Sequence, residues 1–274
     1  MRMLEVMTAT TAFGDQLRQW RRVRGWSQLD LAARAEVSQR HVSFLETGRS
    51  RPSPEMVIHL SETLEVPLRE QNLLLLAAGH APEYGETPLD EMEGIDDILD
   101  TMLEAHLPSM AIVVDRQWNL VRANRAATKL TSFLFEEPPS WIGPPLNVMR
   151  LNFHPDGLRR HMLDWETTAS VLLRRLTRDV ASHPNDRMLG GLLQEILDYP
   201  GVEALPSRSR PSEAKDLVVP TTFSIAGEEI ALFTTIAVIG DAHDLTLSEL
   251  RLETFWPMDP TSAARWERLM VMAG

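Results

Sequence analysis

The feature that most constrains this chain is the dense series of helix start and stop signals in residues 13–79. Serines that can cap a helix N-terminus stand at Ser27, Ser38 and Ser53, and glycines that often follow a helix end stand at Gly25, Gly48 and Gly79. Together with the apolar periodicity, these signals predict helices over residues 13–24, 28–35, 39–47, 54–64 and 68–78. Helices so closely spaced predict an all-α five-helix domain.

The second and third of these helices carry a spaced pattern of residues. It runs Ser27-Gln28-x-x-Leu31-Ala32, then five residues, then Ser38-x-x-x-Val42-Ser43-x-Leu45-Glu46-x-Gly48. Ala32 is small, which suits a steep helix crossing, and Val42 and Leu45 are apolar anchors that leave the other face of the third helix free for a major groove. The pattern resembles the Cro/cI (XRE) family of helix-turn-helix transcription regulators, and the resemblance covers residues 13–78.

This resemblance implies DNA contacts from the third helix and its surroundings. The implied DNA-binding residues are Gln28, Ser38, Gln39, Arg40, Ser43, Phe44, Arg49 and Arg51. Gln28 matches a phosphate contact, while Gln39 and Arg40 suit adenine and guanine edges respectively. Phe44 packs either on a thymine methyl group or on protein, and Arg49 and Arg51 either contact phosphates or the minor groove or are solvated loop residues.

Two further expectations come from the same resemblance. Arg21 and Glu46 match a buried ion pair that braces the domain in several family members. Because one such domain makes few base contacts, we expect a homodimer that reads two half-sites of double-stranded DNA about 34 Å apart.

The charge distribution permits DNA binding although the net charge is −12. The first eighty residues contain ten arginines and nine acidic residues, whereas the remainder contains 17 basic and 30 acidic residues. Within residues 15–51 there are eight arginines and four acidic residues. Nonspecific DNA would be repelled by most of the chain, so contact is expected at this local positive patch.

Residues 80–94 are rich in proline, glycine and glutamate and are predicted to link a first domain, residues 1–79, to a second, residues 95–274. Helices are predicted over residues 95–106, 124–133, 155–180, 188–198 and 262–272, and strands over residues 110–114, 118–122, 217–225, 229–239 and 247–256. In the last strand, alternation places Glu253 on a polar face opposite Leu252 and Thr254. The order predicts an α+β domain with a five-stranded antiparallel sheet.

The second domain also carries a recognisable segment, Asn147-x-x-Arg150-x-x-Phe153-His154-Pro155-Asp156-x-x-Arg159, followed by Trp165-Glu166. It resembles the MmyB-like ligand-binding domain over residues 95–272, which implies a PAS-like fold and a lipophilic, fatty-acid-like effector. The candidate ligand-binding residues are Phe133, Trp141, Arg150, Phe153, Arg159 and Trp165. The aromatic residues among them cluster around residues 136–145, which we expect to form a lid over an apolar pocket, and Arg150 or Arg159 suits a carboxylate. The alternative is that these aromatics fill the core and these arginines lie on the surface.

Several functional classes are not supported by the sequence. The chain has no cysteine, and it shows no histidine pair with metal-ligand spacing, no glycine-rich phosphate loop and no nucleophile elbow. We therefore expect no catalytic residue, no metal and no cofactor. With no apolar run of about 18 residues and no export signal, we expect a cytoplasmic protein that does not span a membrane. The alternative function is a DNA-binding adaptor or antitoxin-like protein whose second domain binds a protein partner.

Overall fold

The computed structural model describes residues 2–135, 139, 141–205, 218, 220–240 and 242–272, with the backbone alone for residues 2–11 and 272. Two compact units make up the chain. The first comprises Met1–Thr87 and Ala242–Leu245, and the second comprises Pro88–Asp241 and Thr246–Gly274. The division between them falls inside the predicted linker.

The first unit contains the five predicted helices. They are α1 (Arg2–Val23), α2 (Gln28–Arg34), α3 (Gln39–Glu46), α4 (Pro54–Thr63) and α5 (Leu68–Ala77). The caps act as predicted, since the hydroxyls of Ser27, Ser38 and Ser53 accept hydrogen bonds from the backbone at the third helical position. The start of α1 was predicted too late: no proline or glycine interrupts residues 2–12, so the helix extends ahead of the apolar pattern.

The core of the first unit forms where α1, α2 and α3 meet. Leu31, Val42 and Leu45 are fully buried in it, as expected for the anchors of the helix-turn-helix. The closest backbone approach involves Gly14, where an added Cβ atom would lie 2.6 Å from the carbonyl oxygen of Glu46. Only glycine fits this crossing of α1 and α3 without displacing backbone.

The first half of the predicted linker is attached to α5. The side-chain oxygen of Asn72 accepts hydrogen bonds from the backbone of Glu83 and Tyr84, and its amide donates to the carbonyl of Tyr84. The hydroxyl of Tyr84 donates to Gln71. These side-chain hydrogen bonds give this part of the predicted linker a fixed path on the first unit.

The second unit contains a five-stranded antiparallel sheet, as predicted. Its strands are β1 (Met110–Val114), β2 (Leu120–Ala123), β3 (Thr221–Ile225), β4 (Glu228–Val238) and β5 (Arg251–Pro257), in the order β2-β1-β5-β4-β3. Its helices are α6 (Ile95–Glu104), α7 (Arg125–Leu134), α8 (Val148–Phe153), α9 (Trp165–Ser182), α10 (Arg187–Leu197), α11 (Leu245–Ser248) and α12 (Pro260–Met272).

Helices cover both faces of this sheet. On one face, Ile95, Leu99 and Leu103 of α6 pack against Val113 and Leu252. A second core contains residues of α7 and α12 with Phe223 and Leu232, on the other face. Glu253 lies on the face opposite Leu252, as the alternation predicted, and it is 3% exposed because the central strand β5 is covered on both sides.

The continuous helix predicted over residues 155–180 was also wrong. A 3₁₀ turn covers Leu158–His161, Met162 pairs with Phe223 as in a sheet, and the backbone NH of Leu163 donates to the carbonyl of Thr222 at 2.9 Å. The apolar spacing was helical, but pairing with β3 holds this segment extended, and α9 begins only at Trp165.

Three smaller differences concern the ends of elements. The helix α8, capped by Asn147, was not predicted, and α11 occupies the beginning of the last predicted strand. The start of the predicted strand over residues 217–225 falls partly outside the described residues, and β3 begins at Thr221. Among the helices that the structure describes, none is both long and apolar enough to cross a membrane.

Candidate functional site

The beginning of α3 presents the side chains expected to read bases. Gln39 and Arg40 are exposed, whereas Val42 and Leu45 on the opposite side are buried. Ser38 caps the helix, its hydroxyl accepting a hydrogen bond from the backbone NH of His41 at 3.1 Å. One face of α3 is thus fixed by the core, and the other projects its amide and guanidinium groups away from it.

An aromatic and two cations lie next to one another beside this face. Phe44 is half-buried, and the guanidinium carbons of Arg40 and Arg49 lie 5.0 Å and 5.9 Å from its ring centre. Such distances are within the range of cation–π attraction. Ser43, also half-buried, is one position earlier. The phenyl ring therefore contacts protein in the free chain and helps to hold both arginines along one side of α3.

A buried carboxylate connects three elements behind the surface. The guanidinium of Arg21 donates to both oxygens of Glu46, at 2.6 Å and 2.9 Å, which confirms the predicted ion pair. The amide of Gln28 donates to Glu46 at 2.9 Å, and Arg18 donates to the Glu46 carbonyl. Burial opposes ionisation of Glu46, but the hydrogen bonds from Arg21, Gln28 and Arg18 outweigh it and lower its pKa. Gln28 is thus oriented from α2 by the same carboxylate.

The two arginines after α3 are in different surroundings. Arg49 is exposed, and its guanidinium lies near the ring of Phe44. Arg51 instead donates to the carbonyls of Ala78 and Gly79 at 3.1 Å and 3.0 Å, which satisfies the C-terminal end of α5. Arg51 is exposed in the loop after α3, and its guanidinium joins this loop to the end of α5.

The second unit contains an apolar cavity of about 140 Å³ between the sheet and α7, α8 and α9. Aliphatic and aromatic side chains from strands and helices make up most of its wall, among them Met110, Ile112, Leu130, Leu151, Met162 and Phe223. The strand residues share one face of the sheet, because residues at alternate positions point the same way.

Two pairs of polar side chains also belong to this wall. Arg175 of α9 donates to Glu253 of β5 at 2.9 Å, and the hydroxyls of Thr168 and Thr221 lie 3.1 Å apart. All four residues line the cavity. Burial raises the pKa of Glu253, and the nearby guanidinium groups of Arg175 and Arg251 only partly oppose this.

The predicted ligand-binding residues lie elsewhere. Phe133, Trp141, Arg150, Phe153, Arg159 and Trp165 are all absent from the wall of the apolar cavity. Phe133 is half-buried against the core, and Phe153 is fully buried and meets the edge of Trp165. The indole NH of Trp165 donates to the carbonyl of Asn152, and Arg159 stacks on Trp165 at 3.8 Å while donating to the carbonyl of Pro200.

Two of the six predicted residues, Trp141 and Arg150, line a separate cavity of about 360 Å³. Trp141 stacks on His154 with ring centres 3.7 Å apart, and Arg150 makes two 2.8 Å hydrogen bonds to Glu195. The Arg150 guanidinium is therefore already paired with a carboxylate of the chain. A ligand role for any of the six stays a prediction.

The residues that line the apolar cavity were missed because aromatic and arginine residues were used as the signal. Met110 and Ile112 alternate along β1 with Ala111 and Val113, so they occupy one face of the sheet. That alternation was visible in the sequence. What was not visible is that α7, α8 and α9 leave space over this face instead of filling it.

Comparison with known proteins agrees with this two-part organisation. A family model described as the MmyB-like transcription regulator ligand binding domain matches residues 95–269, and a helix-turn-helix family model matches residues 17–71. A relative from Bacillus subtilis (strain 168), named the uncharacterized HTH-type transcriptional regulator RghRB, is 32% identical over 103 residues, which are 35% of this chain and 72% of the relative.

Proposed function

This chain belongs to the MmyB-like transcription regulators and is a DNA-binding regulator with a ligand-binding domain; from that membership we propose how it reads DNA and what it senses. In the proposal, residues 1–79 bind DNA, residues 80–94 connect, and residues 95–274 bind an effector and hold a cytoplasmic homodimer together. The effector is a lipophilic small molecule of the fatty-acid-like kind. No catalytic step is part of this function.

The observation that carries the DNA part is the position of Gln39 and Arg40. Both side chains are exposed at the N-terminal end of α3, where helix-turn-helix proteins contact base edges. The amide of Gln39 suits adenine and the guanidinium of Arg40 suits guanine, each through two hydrogen bonds. Because Phe44 already attracts Arg40, less side-chain freedom is lost when DNA binds.

The backbone contacts in this proposal surround the reading residues. Gln28, Ser38 and Ser43 carry amide or hydroxyl donors, and Arg49 is a cation without a carboxylate partner among the described residues. Among these residues Arg51 is the least suited to contact DNA, because its guanidinium already donates to two backbone carbonyls.

The experiment that tests the DNA part compares single variants on a selected operator and on its base-substituted forms. We expect Arg40→Ala to lower affinity by about 1–3 kcal/mol on the preferred site and to relax preference at one base pair. Arg49→Ala should lower the affinity for all DNA sequences alike, and the dependence of affinity on salt concentration should fall by about one phosphate contact. Arg187→Ala, an exposed arginine of α10, is the control.

Two outcomes separate the alternatives. If Arg40→Ala and Arg49→Ala both leave affinity and base preference unchanged, DNA is not read by this face of α3. If Arg51→Ala lowers thermal stability and affects DNA affinity only in proportion to unfolding, Arg51 serves the fold and not the interface.

The sensing part is supported by the apolar cavity, because a concave apolar space with a few polar groups is the usual form of a small-molecule site. This supports sensing over the alternative of an adaptor that binds a protein partner, which would call for a filled core and a broad apolar surface. An effector that prefers one arrangement of the dimer would change the spacing of the two reading helices.

A further inference from the structure

The wall of the apolar cavity contains one ion pair. Glu253 projects from β5 and Arg175 from α9, and the guanidinium of Arg175 donates to the Glu253 carboxyl at 2.9 Å. Glu253 is 3% exposed. Any ligand that enters this cavity with a polar head group meets a buried carboxyl group and a guanidinium group that are already joined.

The charges around this pair are balanced without a ligand. Asp179 of α9 accepts a hydrogen bond from Arg251 of β5 at 2.6 Å, and both groups influence Glu253 electrostatically. The neighbours of Glu253 on β1 and β4 are Ile112 and Ile236, which carry no charge. Two cations thus face two carboxyl groups. A ligand carboxylate would add a third negative charge, and among the described residues Arg175 is the one cation in the cavity wall.

Glu253 has capacity to accept a further hydrogen bond. Among the described residues, one hydrogen bond reaches its carboxyl group, from Arg175. A carboxylate can accept several. Burial, together with the charge of Asp179, raises the pKa of Glu253 against the effects of Arg175 and Arg251, so a hydrogen bond from the ligand would offset part of the cost of burying its negative charge.

The size of the cavity restricts the remainder of the ligand. Its volume of about 140 Å³ is close to the roughly 150 Å³ of an engineered apolar cavity that binds benzene. A short alkyl chain or a single ring matches that space, whereas a long acyl chain requires the cavity to widen.

We propose that the effector is a compact apolar molecule whose uncharged head group donates a hydrogen bond to Glu253, and that the cavity disfavours a carboxylate. Alcohols, phenols and primary amides are the matching chemical class. This inference rests on the proposed sensing function and refines its ligand: a fatty acid in its ionised form would be a poor effector.

The test uses two probes of equal chain length, hexan-1-ol and hexanoate, in calorimetric titrations of the full-length protein at a pH of about 8. Carboxylic acids of this kind are fully ionised there. We expect hexan-1-ol to bind at least about tenfold more tightly. Equal or tighter binding of hexanoate overturns this inference and leaves ligand sensing intact. Binding of neither probe overturns both.

A variant assigns the discrimination to the carboxyl group. Glu253→Gln keeps the shape and removes the negative charge, so Arg175 becomes free to pair with a ligand carboxylate. We expect hexanoate affinity to rise about tenfold, while hexan-1-ol affinity changes little. The matched control is Glu228→Gln, which alters a carboxyl group paired with Arg265, outside the walls of both cavities.

Circular dichroism and thermal melting establish that the Glu253→Gln protein is folded. In a folded variant, unchanged hexanoate binding overturns the assignment to Glu253. If the variant does not fold, the comparison of the two probes on the unsubstituted protein decides the proposal alone.

Discussion

At the scale of single residues, the same type of side chain serves different purposes depending on what it touches. The guanidinium groups of Arg40 and Arg49 lie beside a phenyl ring, that of Arg51 donates to backbone carbonyls, and that of Arg21 is held by a buried carboxylate. The sequence distinguished Arg21 through its resemblance to a known pair. It did not distinguish Arg49 from Arg51, because the carbonyls that bind Arg51 belong to a helix end 27 and 28 positions away.

The buried ion pair leads to a prediction about stability. Arg21→Ala leaves the fully buried Glu46 carboxylate without its principal partner, and we expect the free energy of unfolding of the first unit to fall by about 3–5 kcal/mol. Hydrogen exchange of the backbone amides in residues 13–78 measures this free energy of unfolding. Arg22→Ala, next to it but exposed, should change the stability by less than about 0.5 kcal/mol. Equal effects of both variants would contradict the assignment.

The same carboxylate gives a pH dependence with a defined sign. Because the pKa of Glu46 is lower in the folded protein than in the unfolded chain, its contribution is present above the unfolded value of about 4.3 and is lost as the pH falls through the folded value. We expect acid-induced loss of protection in residues 13–78 below a pH of about 4. The Glu46→Gln protein should be less stable at neutral pH, and its stability should depend less on pH in this acidic range. Hydrogen exchange at several pH values measures both effects.

At the scale of elements, one buried amide joins a strand to two helices. The side-chain oxygen of Asn124 accepts hydrogen bonds from the backbone of Ala111 in β1 and of Ala127 in α7, and its amide donates to the carbonyls of Leu103 and Ser109. Asn124 is therefore more than the cap of α7 that its sequence position indicates. It joins α7, β1 and the end of α6 through four bonds.

Replacing this amide should affect the whole second unit. Asn124→Ala removes four hydrogen bonds to buried backbone groups, and only the carbonyl of Leu103 keeps another donor, the backbone NH of His106. Each buried group left without a partner costs about 1–3 kcal/mol, so we expect a loss of several kcal/mol and a marked fall in the melting temperature. Ser132→Ala, an exposed position on the same helix, should be nearly neutral. Differential scanning calorimetry distinguishes the two. A melting curve of Asn124→Ala that matches that of Ser132→Ala would disprove this role.

Local signals predicted most elements and failed where a distant segment determined the outcome. Capping serines and glycines set the five helices of the first unit because these interactions act within a few residues. Met162 fits a helical apolar stripe, yet it pairs with Phe223 far along the chain. Glu253 belongs to the polar face of an alternating strand, yet it is buried because β5 is the central strand and is covered on both faces. Neither outcome is encoded in the neighbouring residues.

At the scale of the whole molecule, the uneven distribution of charge supports the proposal that the first unit binds DNA and the second binds the effector. The net charge is −12, but residues 1–80 are nearly neutral and contain a local excess of arginine. An acidic second unit repels DNA, so the association of DNA with the protein is directed to the first unit. The family of each part was predictable from its motifs. The ligand cavity was not, because its existence depends on how three helices pack over one sheet.

Native mass spectrometry of the intact protein tests the proposed assembly. We expect the main species to have twice the mass of one chain, because a single helix-turn-helix makes too few base contacts for specific binding. We also expect part of the sample to carry an added small mass that is lost on denaturation. The isolated residues 1–79, if expressed, should bind the same operator more weakly. A monomer that binds the operator with full affinity would refute the dimeric arrangement.

The arrangement around Trp118 has an optical consequence. Its indole NH donates to Asp179, and the guanidinium carbons of Arg251 and Arg175 lie 4.8 Å and 5.7 Å from its ring centre. Arg175 also holds Glu253 in the cavity wall. A ligand that displaces Arg175 therefore changes the electric field at a fully buried indole and shifts its fluorescence emission. Subtracting the spectrum of a Trp118→Phe variant isolates this signal from the other six tryptophans. Trp118 is therefore an intrinsic fluorescent probe for any ligand in the cavity that displaces Arg175.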